Sequence, residues 1–178
     1  MNITPWILSL LLAAVGCSRT VPTPSDLGGS KFPQVRAEGL DGKAVVVPDD
    51  YLGKETVLLV GYTQRAQFDI DRWILGILQA DIAVQLVELP TIPGMMPVVV
   101  QGFITKGMRG GIPQEDWAAV ATVFEDADII VNTLGNDRPQ NAYVVLLNST
   151  GEIIWNTNRG YSAQQVLQMK EIVERKNS

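Results

Sequence analysis

A continuous apolar run, Val57-Leu58-Leu59-Val60-Gly61-Tyr62, breaks at Thr63-Gln64-Arg65 and gives way, from Phe68, to apolar residues at helical spacing: Ile70, Trp73, Ile74, Ile77 and Leu78. A run without alternation predicts a strand buried on both faces, and the i, i+3, i+4, i+7, i+8 spacing predicts a helix with one apolar stripe. Ala83 to Leu89 reads as a second strand, closed by Pro90 and Pro93-Gly94. Strand, short turn, helix and strand make a right-handed parallel βαβ unit. The turn after the first strand is where such sheets place their sites.

The same reading extends along the chain. Phe32–Arg36 and Ala44–Val47 predict a β-hairpin around Asp41-Gly42. Residues 48–53 predict a turn or a single helical turn. Met95 to Ile104 predicts a helix entered at Pro97, although its three valines prefer strand. Lys106 to Pro113 reads as a basic, Gly-rich loop. It lacks the GKT or GKS ending of a phosphate-binding loop. From Pro113 the spacing of Trp117, Val120, Ala121 and Phe124 predicts a helix, and Asp128–Thr133 a short strand. Trp73 and Trp117 fall on apolar stripes and are expected in the core. Ala142–Leu147 and Glu152–Trp155 predict a hairpin turning at Asn148–Gly151, and Ser162–Gln165 reads as the capping box of a last helix with Val166, Met169, Ile172 and Val173 inward.

The N-terminus follows a different logic. Trp6 to Val15 is an apolar run of ten, half of what a membrane span needs (~20 residues) and the length of a signal-peptide core. It ends at Ala14-Val15-Gly16-Cys17, which resembles a bacterial lipobox, where small residues precede a cysteine that is acylated and becomes the mature N-terminus. A free cysteine in an exported chain is otherwise a spare reactive thiol. The expected organisation is a lipoprotein signal segment at 1–16, a Ser/Thr/Pro-rich tether at 17–30 with Cys17 lipidated, and one domain at 31–178 on the exported side of the cell envelope; Ala14-Val15-Gly16 also fits an ordinary small-x-small cleavage site, which is the alternative.

Composition removes chemistry from this picture. Cys17 is the one cysteine and there is no histidine. No Ser-His-Asp or Cys-His arrangement, Cys/His zinc site or intrachain dithiol can be built. The net charge of −5 gives no basis for binding nucleic acid through its phosphates. The Met95-Met96 pair is expected to pack rather than to bind a soft metal, and no metal or cofactor is expected. Carboxylates, Tyr, Lys and Arg remain. Asp69 and Asp71 sit where a helix dipole favours negative charge and read as helix-end charges. Tyr62 reads as a strand residue packed on the core and Arg65 as a solvated side chain.

The order of elements resembles the thioredoxin-like fold in its redoxin form: a central mixed sheet with an N-terminal β-hairpin and flanking helices. The residues carrying the resemblance are VLLVGYT from Val57 and AYVVLLNSTGEIIW from Ala142, followed by the last helix. In active members the nucleophilic cysteine stands at the start of the helix after the first core strand, where helix N–H groups stabilise a thiolate. The matching positions here are Ala66, Gln67 and Ile70, and the position of the usual cis-proline falls near Asn141 or Ala142. Redox and peroxidase activities are therefore not implied. GYTQRAQFDIDRW from Gly61 to Trp73, Gly107-Met108-Arg109 leading to Ile112-Pro113, and Leu134-Gly135 ahead of Ala142–Leu147 and Ile153–Trp155 are similar to the mitochondrial assembly chaperones of the ATP synthase membrane sector. That family implies a redoxin fold without a dithiol. The expectation is a membrane-anchored, non-catalytic module that binds a protein partner through Thr63, Gln64, Arg65 and Gln67, joined by Lys106, Arg109 and Asn141. An enzyme using Tyr62, Arg65, Asp69 and Asp71 in acid–base or oxygen-ligand metal chemistry is the alternative, and a structural envelope lipoprotein a second.

Overall fold

The computed structural model describes residues 27–176. The signal segment, Cys17 and the first part of the tether lie outside the described residues. Within them the elements run β1 Val35–Gly39, β2 Ala44–Val47, β3 Thr56–Gly61, α1 Gln67–Gln79, β4 Gln85–Pro90, α2 Val98–Gly111, β5 Ala121–Thr122, α3 Ala127–Leu134, β6 Tyr143–Leu147, β7 Ile153–Thr157 and α4 Ala163–Lys176.

β3 takes the central place that its unbroken apolar run predicts. It pairs in parallel with β4 and antiparallel with β6, and β6 continues antiparallel to β7, giving the order β4-β3-β6-β7. Side chains alternate across a strand, so β3 feeds two cores. Leu58 and Val60 pack with Val87, Leu89, Ile130 and Val145 on one face. Val57 and Leu59 pack with Ile70, Trp73 and Ile77 of α1 and with Val166, Met169 and Val173 of α4 on the other. All four of these β3 side chains are fully buried, each stabilising the fold by about 1.5–3 kcal/mol. The stripe of α1 ends one residue early. Leu78 is exposed, because eight residues at 100° each carry it ~80° off the face that Ile70 starts.

A second, three-stranded antiparallel sheet has the order β2-β1-β5. Its hairpin register runs from Val35 opposite Val47 to Glu38 opposite Ala44, and Gly42 supplies the positive φ of 85° at the turn. Single bridges from Val120 to Glu88 and from Val123 to Thr91 stitch this sheet to the edge of β4. The front of the domain is docked as well. Leu27 is buried in the first core, Gly29 donates its N–H to the Ile153 carbonyl and Ile153 donates back to Ser30, both at 2.8 Å.

Four expected elements take another form. The first strand starts at Val35, three residues later than expected. Phe32 is instead a buried anchor that donates its N–H to Gly151. The basic segment Lys106–Gly111 is the last part of α2 rather than a loop; each glycine weakens a helix by about 1 kcal/mol without forbidding it, and the first true breaker is Pro113. After Pro113 there is only a 3-10 turn, Gln114–Ala119. Pairing with β1 draws Ala121 and Thr122 into extended form, and the β-branched Val120, Thr122 and Val123 suit it. Trp117 is consequently half-buried instead of central. Asp128–Thr133 belongs to helix α3, which buries Ala127, Ile130 and Leu134 at i, i+3 and i+7.

Candidate functional site

The chain leaves β3 through Tyr62 and Thr63, makes a 3-10 turn at Gln64–Ala66 and enters α1. Facing this turn is the loop from Gly135 to Ala142, which joins α3 to β6. The two are bound by side chains rather than by sheet pairing. Thr63 donates its hydroxyl to the Pro139 carbonyl at 2.8 Å. The Asn141 amide donates to the Asn158 carbonyl at 2.9 Å, and the Asn158 amide donates to Asp137 at 2.8 Å. Thr63 and Asn141 are thus brought to one place, through the segment Pro139–Ala142. Among the described residues the cis peptide is Val47–Pro48, in the β1–β2 sheet and not in this loop.

Asp69 holds the arrangement together. Its Oδ2 accepts the backbone N–H of Ala142 at 3.0 Å and its Oδ1 accepts that of Tyr161 at 2.8 Å. It is buried, 8% exposed, so the reading of Asp69 as a helix-end charge is corrected: the carboxylate spends both oxygens clamping the β6 entrance and the β7–α4 loop onto α1. The ring of Tyr161 then packs edge-on against Trp73 at 5.8 Å.

Where thioredoxins carry sulfur, Ala66 and Ile70 are buried in the core and Gln67 turns inward. The Gln67 amide donates to Asp71 at 3.0 Å and to Glu88 of β4 at 3.1 Å. Burial pushes the Glu88 carboxyl above the usual carboxylate range, Gln67 opposes the rise, and Asp71 and Asp116 add to it. Tyr62 packs against the first core with its hydroxyl buried, without a hydrogen-bond partner among the described residues. Burial raises its pKa well above the usual phenol value, with Tyr143 and Asp137 contributing. Burial also pushes the neighbouring Tyr143 up to about 12.

What the turn offers to a partner is Gln64, Arg65 and Phe68, all exposed. Phe68 is 72% exposed at the second position of α1, three residues from Arg65. The expected site left it out.

Arg109 and Lys106 are placed differently. Arg109 donates from Nε to the Leu40 carbonyl at 2.7 Å, and its guanidinium lies 5.4 Å over the Trp117 ring. It fastens α2 to the tip of the β1–β2 hairpin and is engaged there. Lys106 is exposed on α2. A shallow depression lined by Lys54, Glu55, Ile82, Gln85 and Ser149 opens at the start of β3, the opposite end from the turn. Among the described residues no three Cys, His, Asp or Glu side chains are grouped to hold a metal ion.

The sequence matches no family model and no curated protein. Its structure is similar to that of yeast Sco1, at a TM-score of 0.55 and 15% identity, over 82% of this chain and 96% of that one. It is also similar to the pneumococcal exposed lipoprotein thioredoxin Etrx1 from Streptococcus pneumoniae, at 0.54 and 12%, over 79% and 99%. A SCO1/SenC family lipoprotein from Bacillus anthracis matches at 0.51 and 14%, over 81% and 95%. The chain has a thioredoxin-like fold. One yeast Sco1 structure carries copper. This chain offers that metal no imidazole, and its one thiolate source, Cys17, lies outside the described residues.

Proposed function

We propose that this protein is a membrane-tethered, redox-inactive thioredoxin-like module that binds a protein partner and acts in assembly at the cell envelope. The observation that carries the proposal is the pairing of an exposed Arg65 with an exposed Phe68 on a turn held rigid from behind. Aromatic and Arg side chains are the types that anchor protein interfaces. A turn fixed through Thr63, Asp69 and Gln67 presents them with little ordering left to do on binding, which favours affinity. The absence of sulfur from Ala66, Gln67 and Ile70 argues for holding over reacting.

The anchored placement rests on the Cys17 segment, with support from two structural neighbours that are themselves lipoproteins. The assembly role rests on the resemblance of GYTQRAQFDIDRW and the two later stretches to the ATP synthase assembly chaperones. Of the groups named for non-sulfur catalysis, Asp69 gives both oxygens to backbone N–H groups, Asp71 accepts from Gln67 and the Tyr62 hydroxyl is buried; Arg65 is left exposed and serves the binding surface. The test is affinity purification of the full chain from its own membranes, beside an Arg65→Ala/Phe68→Ala double variant. A partner recovered with the native chain and lost from the variant is expected; equal recovery removes this surface from the account.

A further inference from the structure

Helix α2 leaves much of its apolar surface uncovered: Ile104 and Met108 are half-buried on its inward side, and its other large apolar side chains face out. A surface helix normally turns its apolar stripe inward and its polar face to water. In α2 the buried side chain is Thr105, and Gln101 beside it is half-buried and donates to the Met96 carbonyl at 2.9 Å. Val98, Val99 and Phe103 are exposed at 79, 84 and 78%, and Met95, just ahead of the helix, is fully exposed. Val99, Phe103 and Lys106 follow one another at spacings of four and three and so share a face. Between Glu88 and Glu115 there is no acidic residue, in a chain whose net charge is −5. The cations of α2, Lys106 and Arg109, stand in the part of the helix that follows this apolar group.

We propose that α2 lies in the interface of an anionic bilayer, with Met95, Val98, Val99 and Phe103 among the acyl boundary and Lys106 at the headgroups. This goes beyond partner binding and rests on the tethered part of that reading. Two observations select lipid as the occupant. An acid-free helix with an exposed aromatic and a trailing lysine, Arg109 being engaged with Leu40 and Trp117, has the charge and apolar character of an interfacial helix, and an otherwise acidic domain is turned by an anionic surface so that this face meets it. Leu27, the docked residue, stands ten residues on from Cys17, a maximum reach of about 33–36 Å, comparable to the width of such a domain. A cysteine held at the membrane therefore keeps α2 within reach of the same membrane. Docking in this way also fixes the orientation of the domain, so that the Arg65–Phe68 turn is offered at a set height above the bilayer.

The test reconstitutes the full chain, carrying Phe103→Trp, into phosphatidylcholine–phosphatidylglycerol vesicles whose acyl chains are brominated near the headgroup, with the native chain as the tryptophan background. The emission added by the substitution is expected to fall about twofold, as for an interfacial side chain, and to recover when Val99→Gln and Lys106→Glu are introduced together. Both of those positions are exposed, and circular dichroism of the variant is the check that it keeps its fold. A chain that floats with the vesicles while its added indole stays unquenched overturns lipid docking alone; the face then belongs to a protein partner or a second copy. A chain that does not float at all overturns the tether and the docking with it.

Discussion

Asp69, in the first turn of α1, accepts the backbone N–H of Ala142, 73 residues further along the chain, at 3.0 Å. Its second oxygen takes the N–H of Tyr161, 92 residues away, at 2.8 Å. One carboxylate therefore ties the helix that carries the exposed Phe68 to the start of β6 and to the approach to α4. The position closely follows the place where active thioredoxins keep a nucleophile, and in this chain it does structural work.

Asp69→Asn is expected to destabilise the protein by about 2–3 kcal/mol, since hydrogen bonds to a charged group are strong and the new amide would point a donor at a buried N–H. Urea denaturation followed by circular dichroism measures this. An unchanged midpoint would show that the clamp contributes nothing and would reopen a chemical role for the carboxylate.

Gly76→Ala is expected to cost about 1–3 kcal/mol by overpacking. A Cβ at Gly76 would stand 2.7 Å from the Tyr161 ring and 3.2 Å from Val166. Because Tyr161 is coupled to Asp69 and packed edge-on against Trp73, the near-ultraviolet dichroism of the tryptophans should change along with stability. Gly102→Ala in α2, where nothing lies within 4 Å of the added carbon, is the control and should stabilise by about 1 kcal/mol through helix propensity.

Glu88 gives the stability a pH dependence of defined sign. Its folded pKa is raised by burial, so the folded chain takes up this proton at a higher pH than the unfolded chain does. Stability then grows as pH falls through the folded pKa and levels off below the unfolded value. Thermal denaturation between pH 7 and 4 should show this gain, and Glu88→Gln should remove it while raising stability at pH 7.

Arg36 and Asp126 act in the opposite sense. The Arg36 guanidinium grips Asp126 at 2.8 and 3.0 Å, its backbone N–H adds a third bond, and the Asp126 carboxyl is held down at about 2. A depressed carboxylate contributes stability that is present above its unfolded value near 3.8 and is lost as pH falls toward 2. Arg36→Ala should flatten the acid limb of the stability profile in that window and leave the region above pH 5 nearly parallel to the native curve.

The parts of the fold legible in sequence are those where burial is uniform along an element. β3 and β6 are buried on both faces and read as unbroken apolar runs, and the inward residues of α1 and α4 repeat over two turns. DIIVNT from Asp128 misled because six residues are too few to separate a helical period from a strand. Val120 to Val123 misled because a helical spacing was overridden by pairing with β1. Within the site, the positions of Thr63 and Asn141 on the turn and the facing loop were legible from the fold; their part in binding is a proposal. The clamp by Asp69 was not, since its partners are backbone groups brought near by tertiary packing alone. Phe68 carried a signal that went unread: two residues before Ile70, it falls on the polar face of α1, where an aromatic has no core to enter.

The central claim is that Arg65 and Phe68 form a protein-binding surface. A photo-crosslinking amino acid placed at Phe68 of the full chain, irradiated in its own membranes and followed by mass spectrometry, tests it most directly. One protein adduct is expected, which disappears when Arg65→Glu is added and which a probe at the exposed Lys54, at the far end of β3, does not give. No protein adduct at Phe68, or the same adducts from both positions whatever stands at 65, would contradict it.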